Sequence, residues 1–107
     1  MQAVLSTQSE TSNVNLNQTL ERLFNDLDTA DNMTKNAIEN DVVRFGCDAT
    51  RFLVNKIRTA RGAQRGVAAM SLIRIGEDSI EPLREEAVKD KDFQWIANYL
   101  IREITGR

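Results

Sequence analysis

The chain has 107 residues, enough for one domain, and a net charge of −2 from 14 Lys+Arg against 16 Asp+Glu. It contains no His and a single Cys, which excludes His-based triads, most zinc sites and any internal disulfide framework. One Pro and five Gly leave room for uninterrupted helices.

Residues 1–13, MQAVLSTQSETSN, are rich in Ser, Thr, Gln and Asn and are expected to form a flexible tail. The segment has neither the positive start nor the long apolar centre of a secretory leader. No stretch approaches the roughly 20 apolar residues of a membrane span. Together with one unpaired thiol, this sets a cytoplasmic location as the expectation. Residues 14–107 are read as one domain.

Apolar residues then recur in steps of three and four, the spacing of one helix face. Leu16, Leu20, Leu23, Phe24 and Leu27 mark a helix over 15–29. Ala37, Ile38, Val42 and Phe45 mark 33–45, with Asp31 or Asn32 as N-cap. Ala49, Phe52, Leu53, Ile57 and Ala60 mark 48–60, with Asp48 as cap. Val67, Ala68, Leu72 and Ile75 mark 63–75 after the break at Gly62. Ile80, Leu83 and Ala87 mark 78–89, with Asp78 or Ser79 as cap and Pro82 in the first turn, where a missing N–H does little harm. Phe93, Ile96, Ala97, Leu100, Ile101 and Ile104 mark 92–105, preceded by Asp90 or Asp92. No segment alternates with period two, so the fold class is all-α. Cys47 follows Gly46 in a predicted turn and is expected to be a reduced thiol without special reactivity.

Short connections allow either a closed bundle or stacked antiparallel hairpins, and internal repetition separates the two. A 30-residue shift carries Val42-Val43-Arg44-Phe45-Gly46 onto Leu72-Ile73-Arg74-Ile75-Gly76, and Leu53 onto Leu83. A further shift of 29 carries Val67, Ala68, Ser71, Leu72 and Ile75 onto Ile96, Ala97, Leu100, Ile101 and Ile104. Asp41 interrupts the pattern at the position of Ser71 and Leu100. The repeat favours a short right-handed α-solenoid of about three hairpins, in which each hairpin buries one face on the next. Ala68 and Ala69 would allow close helix approach, and Gly76 could take a left-handed helix-ending conformation.

The run from Arg65 to Leu83 resembles a short HEAT-like repeat: paired Ala68-Ala69, Leu72, Ile75-Gly76, Pro82-Leu83, then the acidic turn Asp90-Lys91-Asp92. Residues 34–61 match more loosely, lacking the Pro, and the resemblance extends over about 33–106. It implies that the second helix of each hairpin (15–29, 48–60 and 78–89) lines a concave side. A basic ridge of Arg51, Asn55 and Arg58 would then stand beside Glu81, Glu85 and Val88. This repeat style is most similar to that of phycobilin lyases and phycobilisome-associated proteins, which implies a phycobiliprotein or another photosynthetic complex as partner. Membership of a lyase complex is an alternative, although no residue matches a catalytic one.

Charge is segregated along the chain. Residues 42–74 hold seven Lys/Arg and one acid, with Arg58, Arg61 and Arg65 grouped around Gly62. That edge offers a second alternative, a nucleic-acid-binding helical repeat. Acidic flanks and a pI near 5.1 place it behind an acidic protein partner. On the last helix, Trp95, Tyr99 and Arg102 lie at i, i+4 and i+7, away from the core stripe, and are the residue types most enriched in binding hot spots. The resulting expectation is a non-catalytic adaptor, assembly factor or chaperone-like subunit, with no cofactor or metal. It would bind a protein through Arg51, Asn55, Arg58, Arg61, Arg65, Glu81, Glu85, Trp95, Tyr99 or Arg102. Self-association through the C-terminal helix is a further expectation.

Overall fold

A computed structural model describes residues 15–106, so the tail expected over 1–13 lies outside the described residues. The described residues form six α-helices and no strand. Helix α1 covers 15–26 and runs into a 3-10 turn, Leu27–Thr29. Helices α2 (Asn32–Arg44), α3 (Thr50–Thr59), α4 (Gly62–Ile75), α5 (Ile80–Lys89) and α6 (Gln94–Thr105) follow. No helix is long and apolar enough to cross a membrane.

The predicted helix positions hold, but three starts differ in kind. Helices α3, α5 and α6 are each entered through a 3-10 turn: Gly46–Ala49, Glu77–Ser79 and Lys91–Phe93. At two of these starts the expected caps make no side-chain capping bond to the helix. Asp48 sits inside its 3-10 turn and Ala49 occupies the N-cap position of α3. Ser79 occupies the N-cap position of α5, but its hydroxyl donates backwards to the Leu72 carbonyl at 2.7 Å and so closes the end of α4. The same oxygen also accepts from the Gly76 N–H at 3.1 Å, so it takes two donors at the end of α4. Asp31 does cap α2, accepting from the Thr34 N–H at 2.8 Å. The Asp90 carboxylate accepts from the Asp92 N–H at 3.0 Å and fixes the turn into α6.

Gly76 ends α4 with φ +88° and ψ −135°. The positive φ fits the choice of Gly, while ψ differs from the left-handed helical value expected.

Helix α2 packs on α4 and α4 on α6, while α3 packs on α5. Phe24 of α1 meets Phe52 of α3 edge to face, ring centres 5.3 Å apart. The neighbours run as α1–α3–α5 and α2–α4–α6, and successive helices α3–α4 and α5–α6 also pack on each other. One core runs between the layers: Leu20, Phe24 and Leu27, then Val42, Leu53 and Leu72, then Leu83, Ala97 and Leu100 are all buried. Burying a Leu or Phe side chain in this way contributes about 1.5–3 kcal/mol.

Candidate interaction site

Arg51 and Arg58 of α3 are exposed, but each is paired with carboxylates of the neighbouring helix or its end. Arg51 Nη2 lies 3.2 Å from Glu85 Oε1 of α5. Arg58 reaches two carboxylates, Nη1 at 2.9 Å from Glu86 Oε1 and Nη2 at 3.4 Å from Asp90 Oδ2. Between them lies a small cleft of about 50 Å³, lined in part by Asn55, Pro82 and Lys89. Glu81 is exposed and forms no ion pair with the described residues.

Of the Arg58, Arg61 and Arg65 group, Arg61 is exposed and Arg65 half-buried. Arg58 and Arg65 line an open cavity of about 160 Å³ together with Asp90, Asp92, Phe93 and Ile96. Two carboxylates inside the same cavity oppose an anionic ligand there. Ile96, placed by the periodicity on the core face, is half-buried beside this cavity.

Trp95 and Tyr99 stand on the outer side of α6, 69% and 55% exposed, with Arg102 exposed beyond them. Neither ring folds over the helix ends to complete the core. An exposed Trp one helical turn from an exposed Tyr supplies large, rigid, amphipathic contact area with few rotatable bonds. This is the largest aromatic surface of the described residues.

Two features escaped the sequence reading. A groove of about 480 Å³ lies between α2 and α4 and is lined by Lys35, Glu39, Ala63, Gly66 and Met70, among others. Lys56 is held between Glu21 Oε1 at 3.1 Å and the faces of Phe52 and Phe24, 5.4 and 6.0 Å from the ring centres. Glu21 and Lys56 are 35 residues apart in the sequence.

Cys47 is exposed and free. Among the described residues, no cluster of three or more Cys, Asp or Glu is arranged to hold a metal ion. No family model, curated protein or solved structure matches the chain.

Proposed function

We propose that this protein is a non-catalytic protein-binding module, a short α-solenoid of HEAT-like style that presents the outer face of α6 to a partner protein. The observation that carries the reading is the exposure of Trp95 and Tyr99 on one face of a helix whose other face is anchored by Ala97, Leu100 and Ile104. A rigid core-facing side keeps the aromatic side in place, so little ordering cost falls on the partner complex. Arg102 on the same face would favour a partner with carboxylates.

The resemblance to phycobilisome-associated repeats makes a phycobiliprotein or other photosynthetic complex the partner to test first. The nucleic-acid alternative is weakened because Arg58 is already neutralised by Glu86 and Asp90. Affinity capture from native lysate, run in parallel with the wild-type chain and Trp95→Ala, tests the proposal. The reading expects one protein, antenna or otherwise, to be captured by the wild type and lost with Trp95→Ala. Capture of RNA, or capture indifferent to Trp95, would count against it.

A further inference from the structure

We infer that the segment of the partner protein bound here is an acidic amphipathic helix, which lies in the groove between α5 and α6 and reaches round α6 to Trp95. The inference rests on the reading of α6 as the partner-binding helix. It adds to that reading a groove, two cations and the kind of segment they accept.

The groove is an open cavity of about 350 Å³, lined by Arg84, Ala87 and Val88 of α5 and by Gln94, Asn98 and Ile101 of α6. Its apolar part is Ala87, Val88 and Ile101, with Val88 83% exposed. Ile101 stands, under the 29-residue shift, where α4 has the fully buried Leu72, yet Ile101 is only half-buried. Gln94 Nε2 donates to the Ala87 carbonyl at 3.2 Å and ties the two walls together at one end.

Charge sets this groove apart. The other clefts each carry carboxylates beside their cations: Glu85 beside Arg51, Asp90 and Asp92 beside Arg58 and Arg65, Glu39 beside Lys35. In the α5–α6 groove the one charged lining residue is Arg84, and no carboxylate lines it. The Arg84 guanidinium makes no ion pair or hydrogen bond with the described residues, and the same holds for the exposed guanidinium of Arg102. Glu81 and Glu103 lie outside the lining.

The groove is continuous with the aromatic face. Gln94, Asn98 and Ile101 fall at i, i+4 and i+7 of α6. Trp95, Tyr99 and Arg102 repeat that spacing one residue later, so the two strips run side by side along the helix. Arg102 also stands one turn beyond Asn98, at the seam between them. An occupant thus meets an apolar floor, one free cation from each helix and an aromatic wall. From Gln94 to Ile101 the strip is about 10 Å long at 1.5 Å per residue, two turns of a helix laid in a groove. The chain already covers α3 in this manner, with a helix, α5, whose Glu86 takes Arg58 at 2.9 Å. Carboxylates on the incoming helix supply Arg84 and Arg102 with the counter-charges they lack, and they steer the encounter.

Nuclear magnetic resonance titration of the full chain with two synthetic helical peptides tests this. One peptide carries Leu at i and i+4 flanked by Glu; the other has Lys in place of every Glu. The acidic peptide is expected to shift the amide signals of Arg84, Val88, Asn98 and Ile101 and the Trp95 indole signal, and the Lys peptide to shift none of them. Arg84→Glu and Arg102→Glu, checked for folding by circular dichroism, are each expected to weaken the acidic peptide by roughly tenfold. Binding lost with Trp95→Ala but indifferent to Arg84→Glu would overturn the inference and leave the Trp95 reading standing. Binding lost with Arg84→Glu but indifferent to Trp95→Ala would support the groove and count against that reading. No binding of the acidic peptide, or equal binding of the Lys peptide, would overturn the inference. So would groove signals that move with protein concentration or on removal of residues 1–13, because a second copy or the chain's own N-terminus would then fill the groove.

Discussion

Gly46 and Gly76, thirty residues apart, both leave a helix with positive φ, +59° and +88°. Gly76 is the C-cap of α4, just before the 3-10 turn Glu77–Ser79, whereas Gly46 follows Phe45, the C-cap of α2, and opens the 3-10 turn Gly46–Ala49. A Cβ at Gly76 would meet nothing within 4 Å, so the barrier to substitution there is conformational and not steric. Gly76→Ala is expected to cost about 1–3 kcal/mol. Gly66, in the middle of α4, has equally open surroundings and no positive φ. Gly66→Ala is expected to stabilise by about 0.5–1 kcal/mol, because Gly is the poorer helix residue. Urea denaturation of the two variants should move the midpoint in opposite directions.

Ser71 is fully buried in α4, and its hydroxyl has no hydrogen-bond partner among the described residues. A buried hydroxyl left in this state carries a desolvation penalty of about 1–3 kcal/mol. Ser71→Ala removes the oxygen with little change of shape and is expected to raise stability by about 1 kcal/mol in thermal or urea melts. Leu100, the equivalent residue in α6, shows that the position accepts an apolar side chain.

Arg58 couples α3 to the end of α5 through Glu86 and Asp90, with about a third of its side chain exposed. Solvent screens such pairs, so Arg58→Ala is expected to cost about 0.5–1 kcal/mol at low salt and less at 1 M salt. With Arg58 engaged, binding to duplex DNA should be no tighter than a non-specific Kd of about 10⁻⁴–10⁻⁶ M at physiological salt. Fluorescence anisotropy across a salt series checks this; tight, sequence-selective binding would restore the nucleic-acid reading.

The Asp31 carboxylate is held below the usual carboxylate range, chiefly by the Thr34 N–H, which it accepts at the start of α2. A lowered folded-state pKa favours the folded chain when the group is ionised. The contribution is present above the unfolded value of about 3.9 and is lost as pH falls from there through the lower folded value. Asp31→Asn keeps a capping oxygen but removes the charge, so it should flatten the acid limb of the melting-temperature profile. An unchanged profile would mean that the cap contributes nothing through its charge.

The helices were legible because their apolar stripes persist: Leu20, Phe24 and Leu27, or Ala97, Leu100 and Ile104, repeat at helical spacing and are all buried. The entry turns were not. Ser79 and Asp48 have the chemistry of caps, and sequence alone does not say whether an i→i+3 or an i→i+4 bond forms first. Nor could it foresee that Ser79 would serve the preceding helix. The charged face of α3 was legible as a set of residues, but its pairing was not. Arg58 passes over the register neighbour Val88 and reaches Glu86 and Asp90, an outcome set by side-chain length and the relative slide of two helices. Trp95 and Tyr99 were placed correctly outside the stripe because they fall between its members, whereas Ile96 lies at the stripe's edge and proves only half-buried.

The central claim is that the outer face of α6 binds a protein while its inner face holds the fold, and the most direct measurement compares Trp95→Ala with Leu100→Ala. Leu100 is 2% exposed in the core, and its truncation should cost about 2–5 kcal/mol of stability. Trp95→Ala should leave the circular dichroism melt close to wild type. It should weaken the captured partner's binding by about 2 kcal/mol, roughly thirtyfold in Kd by titration calorimetry. A Trp95→Ala variant that melts as early as Leu100→Ala and binds the partner as tightly as the wild type would contradict the account, making Trp95 part of the fold and not of a binding surface.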